Sequence, residues 1–250
     1  MYRSVSTQAI VVRRARVGEF HKSLSLLTED LGLISATAYG AYKAQSRLRL
    51  GSEPFTWCTA QLYHNPVKKS YKITELEISS SFEGLQADLG RLAAASLWAE
   101  IVQKSYGAGE MSGGLFGLFR DSLSLVERAD AAQEQCLTLQ FLWRFLGLAG
   151  YQPEIGACSS CGAVLEGRGA WVLPQSHGLA CAPCAGQQGI ALPAGALRFI
   201  AATQDLPLFQ AMSVQLEAGA RAALRSGLLA LVQSVLEGPL TSIPWVRSGR

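Results

Sequence analysis

Four of the six cysteines fall in two pairs, Cys158-x-x-Cys161 and Cys181-x-x-Cys184, with nineteen residues between them. Two residues between cysteines let one tight turn aim both sulfurs at a common point, and two such turns complete the tetrahedron of a closed zinc site. Gly162 follows the first pair and Gly178 precedes the second, where knuckle turns call for relaxed backbone angles. Four thiolates leave no open position, so the expected cofactor is one structural Zn2+ rather than a catalytic ion. A site of this kind contributes about 10 kcal/mol of apparent binding free energy to folding. A redox dithiol would show one such pair beside a strand and helix, and two disulfides belong to oxidising compartments. Met1 to Ile10 holds one basic residue and no apolar core of signal-peptide length, so a cytoplasmic location is expected, which favours metal over disulfide. His177 is the histidine nearest the knuckles and the one candidate for a substitute ligand, whereas His21 and His64 are scattered. Cys58, in a strand, and Cys136, on an apolar helical face, read as buried small hydrophobes.

A second group of residues has the chemistry to hold phosphate. The net charge is only +3, but residues 1–80 carry eleven Lys and Arg against six acids, while residues 81–250 carry eleven against thirteen. Phosphate binding is therefore expected in the N-terminal part. The segment Gly40 to Gly51 carries Tyr42, Lys43, Arg47 and Arg49, and Pro66 to Tyr71 carries Lys68, Lys69 and Tyr71. Cations interleaved with aromatics suit single-stranded nucleic acid, the cations neutralising phosphate while ring faces stack on bases. Tyr42 and Tyr71 read equally well as barrel packing. Arg13 and Arg14 end the first strand and, by alternation, at most one of them shares a groove with the other cations. The candidate DNA-binding set is thus Lys43, Arg47, Arg49, Lys68 and Lys69, with Arg13 and Arg14 ranked lower.

The elements that must position these groups change character along the chain. Residues 5–14, 22–28, 33–39, 54–63 and 71–78 combine β-branched residues with partial alternation, and Glu29 to Gly32 is a turn. Five strands in about eighty residues fit a small antiparallel barrel. An SH3-like barrel fits the same count, and the basic, tyrosine-bearing connections favour the oligonucleotide-binding (OB) form. From Phe82 the period changes: Leu85, Leu89, Ala93, Leu97 and Ile101 mark one helix stripe ending near Gly107, and residues 107–114 read as a loop. Leu115 to Glu127 supplies a second helix. Asp130 and Gln133 resemble a capping box for a third, stopped by Gly150 and Pro153. Pro193 starts a short helix, and Leu216 to Val235 forms a long amphipathic one ended by Gly238-Pro239. Composition is 49% hydrophobic, yet the longest uncharged run, Gly169 to Leu197, is broken by Pro174, Pro183 and Pro193 and contains the second knuckle, which is no membrane span. The expected fold class is α+β and multidomain: a five-stranded OB barrel over 1–80 and a helical bundle over 81–250, with a four-cysteine zinc ribbon inserted at 154–190.

The ordered set of motifs resembles RecO, the family of bacterial recombination and repair mediators. The residues carrying the resemblance are Gly40 to Phe55 (GAYKAQSRLRLGSEPF), Leu97 to Ile101 around Trp98-Ala-Glu100, Phe145 to Pro153 (FLGLAGYQP), and Cys158-Ser-Ser-Cys161-Gly162 with its downstream pair. The resemblance implies an N-terminal OB barrel, a helical C-terminal domain holding the zinc, and no chemical activity of its own. It also implies partners: single- and double-stranded DNA, the ring-forming RecR, and the acidic tail of the single-stranded DNA-binding protein. Some family members lack the cysteines. Members that bind the acidic tail present Arg at the start of the helix before the Gly-Tyr stop, where this chain has Leu139-Gln140-Phe141, with Arg144 one turn on. No Gly-x-x-x-x-Gly-Lys-Ser/Thr occurs, and Gly113, Gly114 and Gly117 lack the lysine a phosphate loop needs. The alternatives are a metal-dependent nuclease and a zinc-ribbon factor of transcription or translation. Glu29-Asp30 and the pair Glu75 and Glu77 do not form the carboxylate cluster that the first needs. The segment between the knuckles carries only Glu166 and Arg168 as charges, too few for the second.

Overall fold

The computed structural model describes residues 4–67, 70–105, 114–186 and 189–244. The chain forms two compact units, Met1–Glu127 and Arg128–Arg250.

In the first unit five strands close a barrel: β1 (Ser4–Val17), β2 (His21–Thr28), β3 (Gly32–Ala38), β4 (Trp57–Asn65) and β5 (Ser70–Ser80), in the order β1-β2-β3-β5-β4. The long β1 makes closure possible, because Ser4 to Ile10 pair with β4 while Ala9 to Val17 pair with β2. A bulge at Val12, between Val11 and Arg13, bends the strand from one partner to the other. The barrel is sealed by a short parallel contact of Ala36 and Thr37 with Tyr71 and Lys72. This is the OB architecture that the strand count and connections led us to expect. Alternation puts Ala9, Val11, Leu24, Leu26, Ala36, Ala38, Cys58, Ala60 and Leu62 inside. Alanines suit the narrow bore, where larger side chains on every strand would overfill the interior.

Two strand readings change. The fourth strand starts at Trp57 rather than Pro54, because Phe55 takes a left-handed φ of 66° that breaks an extended run. Strict alternation over 71–78 would put Ile73 and Leu76 on opposite faces, yet both are buried in the barrel core. A second bulge explains it. Gln61 pairs with Glu75 and Leu62 with Ile73, so Thr74 is the extra residue, its Oγ1 donating to the Gln61 carbonyl at 3.0 Å.

The β3–β4 connection contains the short helix α1 (Leu48–Gly51), which packs on β5. Gly51 is required there by close approach, since a Cβ would meet Leu76 Cβ at 2.9 Å. Helix α2 (Leu89–Ser105) begins later than Phe82, after a 3-10 turn at Glu83–Leu85, and packs on β1, whose Ile10 is fully buried. Helix α3 (Gly114–Val126) packs on α2. The expected helix end at Gly107 and the loop up to Gly113 lie outside the described residues.

In the second unit α4 (Ala131–Leu148) opens on the expected capping box: Asp130 Oδ1 accepts from the Ala132 and Gln133 N–H groups, and Gln133 Oε1 accepts from Asp130 N–H. It ends with Gly150 at φ 78° and Tyr151 N–H returning to the Leu146 carbonyl, a Schellman closure. A three-stranded sheet follows, of β6 (Ala170–Leu173), β7 (Gly178–Ala180) and β8 (Ile190–Leu192), ordered β7-β6-β8, with α5 (Ala182–Ala185) between β7 and β8. Pro193 caps α6 (Ala194–Thr203), then come α7 (Leu208–Ala211) and α8 (Ala218–Val235). Helix α8 packs on α4, α6 and the small sheet. Gly227 lets the sheet approach, since a Cβ there would meet Val172 Cγ2 at 2.8 Å. None of the described helices is long and apolar enough to cross a membrane.

Candidate functional site

The first knuckle is a hairpin closed by the Ala157–Val164 bridge. Cys158 N–H donates to the Ala163 carbonyl at 2.8 Å, and Gly162 N–H to the Cys158 carbonyl at 2.9 Å, with Gly162 at φ 72° as a knuckle turn needs. Strand β7 delivers the second pair. Cys181 sits at the N-terminus of α5, whose single turn brings Cys184 N–H to 3.0 Å from the Cys181 carbonyl. Ser159 N–H donates to the Leu179 carbonyl at 2.8 Å, tying one knuckle to the other. Gly178 serves this junction by size rather than by backbone angle: a Cβ there would meet Ser159 Oγ at 2.6 Å.

The result is that the sulfurs of Cys158, Cys161, Cys181 and Cys184 all lie within 4.8 Å of one another. Cys161 and Cys181 are 3.7 Å apart, which matches the ~3.8 Å edge of a tetrahedron with metal–sulfur bonds of about 2.3 Å. The four cysteines can hold one metal ion. The Cys158 thiol is lowered to about 6, first by the backbone N–H of Cys181, which reaches its sulfur at 3.3 Å, while Cys184 is raised to about 12 by proton sharing with Cys161 and then Cys181. His177 lies outside this set, its ring 4.8 Å from that of Tyr151. Cys58 is fully buried, its thiol pushed up to about 12, and Cys136 is raised by burial as well. Arg144 donates to the Leu206 carbonyl, and Leu139, Gln140 and Phe141 are buried within α4.

In the barrel, the Gly40–Gly51 connection is a chain of turns. Lys43 N–H bonds Gly40, Ser46 N–H bonds Lys43, and Arg49 N–H bonds Ser46. Lys43, Arg47 and Arg49 are all exposed along it. Lys43 Nζ lies 5.6 Å from the ring of Phe20 in the β1–β2 turn. Arg13 and Arg14 are both exposed, beyond the Val12 bulge, and Arg14 is engaged with Glu53 at 2.8 Å. Lys68 and Lys69 lie outside the described residues. Tyr71 stacks on His64 at 4.7 Å and packs on the barrel core. Tyr42 carries Lys22 Nζ at 5.0 Å and Arg16 at 5.3 Å.

Lys22 was not singled out by the sequence patterns of basic connections, because it lies within a strand. Its side chain is 1% exposed, and Nζ donates to Ser52 Oγ at 2.7 Å, Glu53 Oε1 at 2.9 Å and the Arg49 carbonyl at 3.3 Å. The signal was present: Lys22, Leu24 and Leu26 alternate on the inward face. A lysine there must find partners or not be charged, and it finds them on the basic connection. Lys72, facing Tyr39 at 5.5 Å, was missed for the same reason.

Residues 1–82 match the family model Recombination protein O N terminal, and residues 86–244 match Recombination protein O C terminal. The chain is 30% identical over 234 residues to DNA repair protein RecO of Rubrobacter xylanophilus, covering 92% of each. To DNA repair protein RecO of Desulforudis audaxviator it is 29% identical over 246 residues, 96% of this chain and 95% of that one. The likeness therefore runs through both units. A shorter match, 36% identical over 160 residues, joins 64% of this chain to 56% of DNA repair protein RecO of Heliobacterium modesticaldum.

Proposed function

This chain belongs to the RecO family of DNA repair proteins, and from that premise we propose that it is a non-catalytic mediator of repair and homologous recombination. It binds single- and double-stranded DNA, anneals complementary strands and, with RecR, helps load RecA onto single strands coated by the single-stranded DNA-binding protein. The observation that carries this reading is a closed OB barrel whose β3–β4 connection, hydrogen-bonded turn by turn, presents Lys43, Arg47 and Arg49 to solvent. Annealing needs affinity for the backbone of both strands rather than for sequence, and exposed cations on a fixed frame supply that. Lys68 and Lys69, on the β4–β5 connection, and Arg13 and Arg14 complete the proposed set, with Arg14 the weakest candidate because its guanidinium is already paired with Glu53. The functional division follows 1–80 and 81–250 with the ribbon at 154–190, and the location is cytoplasmic. RecR and the acidic tail of the single-stranded DNA-binding protein are the proposed protein partners.

Zn2+ is the proposed ion. Four thiolates at tetrahedral spacing favour zinc and leave no position for a substrate, so the bound ion supplies a structural cross-link between β7 and the preceding hairpin. Protein purified without chelator should carry one zinc per chain. Cys158→Ser should lower thermal stability more than DNA affinity.

The nuclease alternative is less well supported by the arrangement of acids. Asp30 accepts from Thr7 Oγ1 at 2.9 Å at the end of the barrel, far in sequence from Glu75 and Glu77, which pair along β5 with Gln61 and Thr59. The test is annealing of complementary oligonucleotides without nucleotide, followed on a gel. Full-length duplex product is expected. Magnesium-dependent cleavage that co-purifies with the protein and disappears on mutating its acids would replace the mediator reading by the nuclease.

A further inference from the structure

His21 of β2, Tyr39 just past β3 and Lys72 of β5 meet on one outward face of the barrel. Alternation fixes the side: Ala36 and Ala38 point into the core, so Ser35, Thr37 and Tyr39 point away from it. Across the ladder Ser23 pairs with Thr37 and Ser25 with Ser35, while Thr37 bridges Lys72. The floor beside the tyrosine is thus made of hydroxyl side chains too short to cover a ring.

Tyr39 is held and yet open. Its ring meets that of His21 in a T-shaped contact at 5.0 Å and 65°, and that imidazole is itself held, because its Nδ1 accepts from Gly40 N–H at 2.9 Å. Lys72 Nζ stands over the ring, 5.5 Å from its centroid. With this support Tyr39 remains 54% exposed. The two tyrosines that sequence spacing singled out are less open, Tyr71 being packed on the core and Tyr42 37% exposed with two cations, Lys22 and Arg16, over its ring. An aromatic ring whose orientation is fixed before binding loses little freedom when a flat ligand lands on it. The cation over one part of the ring suits a ligand that carries phosphate next to a π-face stacked on its exposed part.

We propose that Tyr39 is a stacking seat for one unpaired base of single-stranded DNA, with Lys72 meeting the adjoining phosphate. The inference rests on the DNA-binding reading above and adds a discrimination to it. In a duplex the base faces are already covered by their neighbours, so a ring lying on this shallow face gains a partner only from a single strand. The cations of the β3–β4 connection hold either form, whereas Tyr39 would favour one.

The experiment compares wild type, Tyr39→Ala and Tyr39→Phe by fluorescence anisotropy on a labelled single-stranded oligonucleotide and on its duplex. Tyr39→Ala should weaken single-strand binding by about fivefold to a hundredfold, leave duplex affinity unchanged, and leave the salt slope unchanged because no charge is removed. Tyr39→Phe should bind as wild type. A single strand carrying 5-iodouracil should photocrosslink to Tyr39 in the wild-type protein. Since the side chain lies outside the core, unchanged melting of both variants is expected and verifies folding. If wild type binds single strands and Tyr39→Ala binds them equally well, the stacking seat is overturned while the DNA-binding reading stands. Equal weakening on single strand and duplex would overturn it too, pointing to a general surface effect or to a seat for a protein partner. Failure of the wild type to bind any DNA would remove both readings.

Discussion

Lys22 sits where an amphipathic strand should carry a leucine, and its ammonium joins the barrel wall to the connection that presents Arg47 and Arg49. Its three acceptors come from Arg49, Ser52 and Glu53, all within that connection, so the lysine acts as a peg rather than as a ligand for phosphate. Lys22→Met keeps the chain length and removes the charge. Glu53 would not be stranded, since it is partly exposed and keeps Arg14 at 2.8 Å. Loss of the buried hydrogen bonds should cost about 1–3 kcal/mol, measured as a lowered midpoint in urea unfolding. An unchanged midpoint would mean that the peg is not needed to hold the connection. The clustering of the four cysteines was legible in the sequence because it depends on local spacing within each pair. Lys22 was harder to read, since its partners lie about thirty residues away and appear only when α1 folds back on β5.

At the scale of elements, signals that act within one turn proved readable. Asp130 and Gln133 satisfy each other's backbone donors as their spacing implied, and Gly150 closes the same helix. Asp130→Ala removes the acceptor for two N–H groups, Ala132 and Gln133. It should destabilise the protein by about 1 kcal/mol, seen as a lower melting temperature in calorimetry, and Asp130→Asn should recover most of it. A drop no larger for alanine than for asparagine would mean that the cap is not sustained in solution. The bulges at Val12 and Thr74 were not readable, because a strand's period carries no mark of where one residue is skipped. Thr74 is skipped where β5 bends around β4, and only the cross-strand pairing of Leu62 with Ile73 reveals it. Phe55 likewise gives no local warning of a left-handed backbone, which glycine or asparagine would have given.

For the molecule as a whole, the change of period near residue 82 separated strand-rich from helical sequence, and the five-stranded barrel followed from strand count. The compact unit that contains the barrel nevertheless extends to Glu127, because Arg91 Nη1 donates to the Glu127 carbonyl at 2.8 Å and α2 packs on β1. Periodicity reports which face of a helix is apolar but not which element covers it. The charge asymmetry has a more direct consequence. Lys43, Arg47 and Arg49 sit in one ordered connection, and none of them forms a salt bridge with an acidic residue among the described residues. If all three contact phosphate, Lys43→Ala, Arg47→Ala and Arg49→Ala together should reduce the magnitude of the salt slope of DNA binding by about 2, roughly 0.7 to 0.9 for each contact. The loss should be the same for all sequences, because phosphate carries no base information. Arg14→Ala should change the slope little, since Glu53 already partners it. A folded triple variant with an unaltered slope would move the DNA surface away from this connection, to the remaining cations of the barrel or to the second unit.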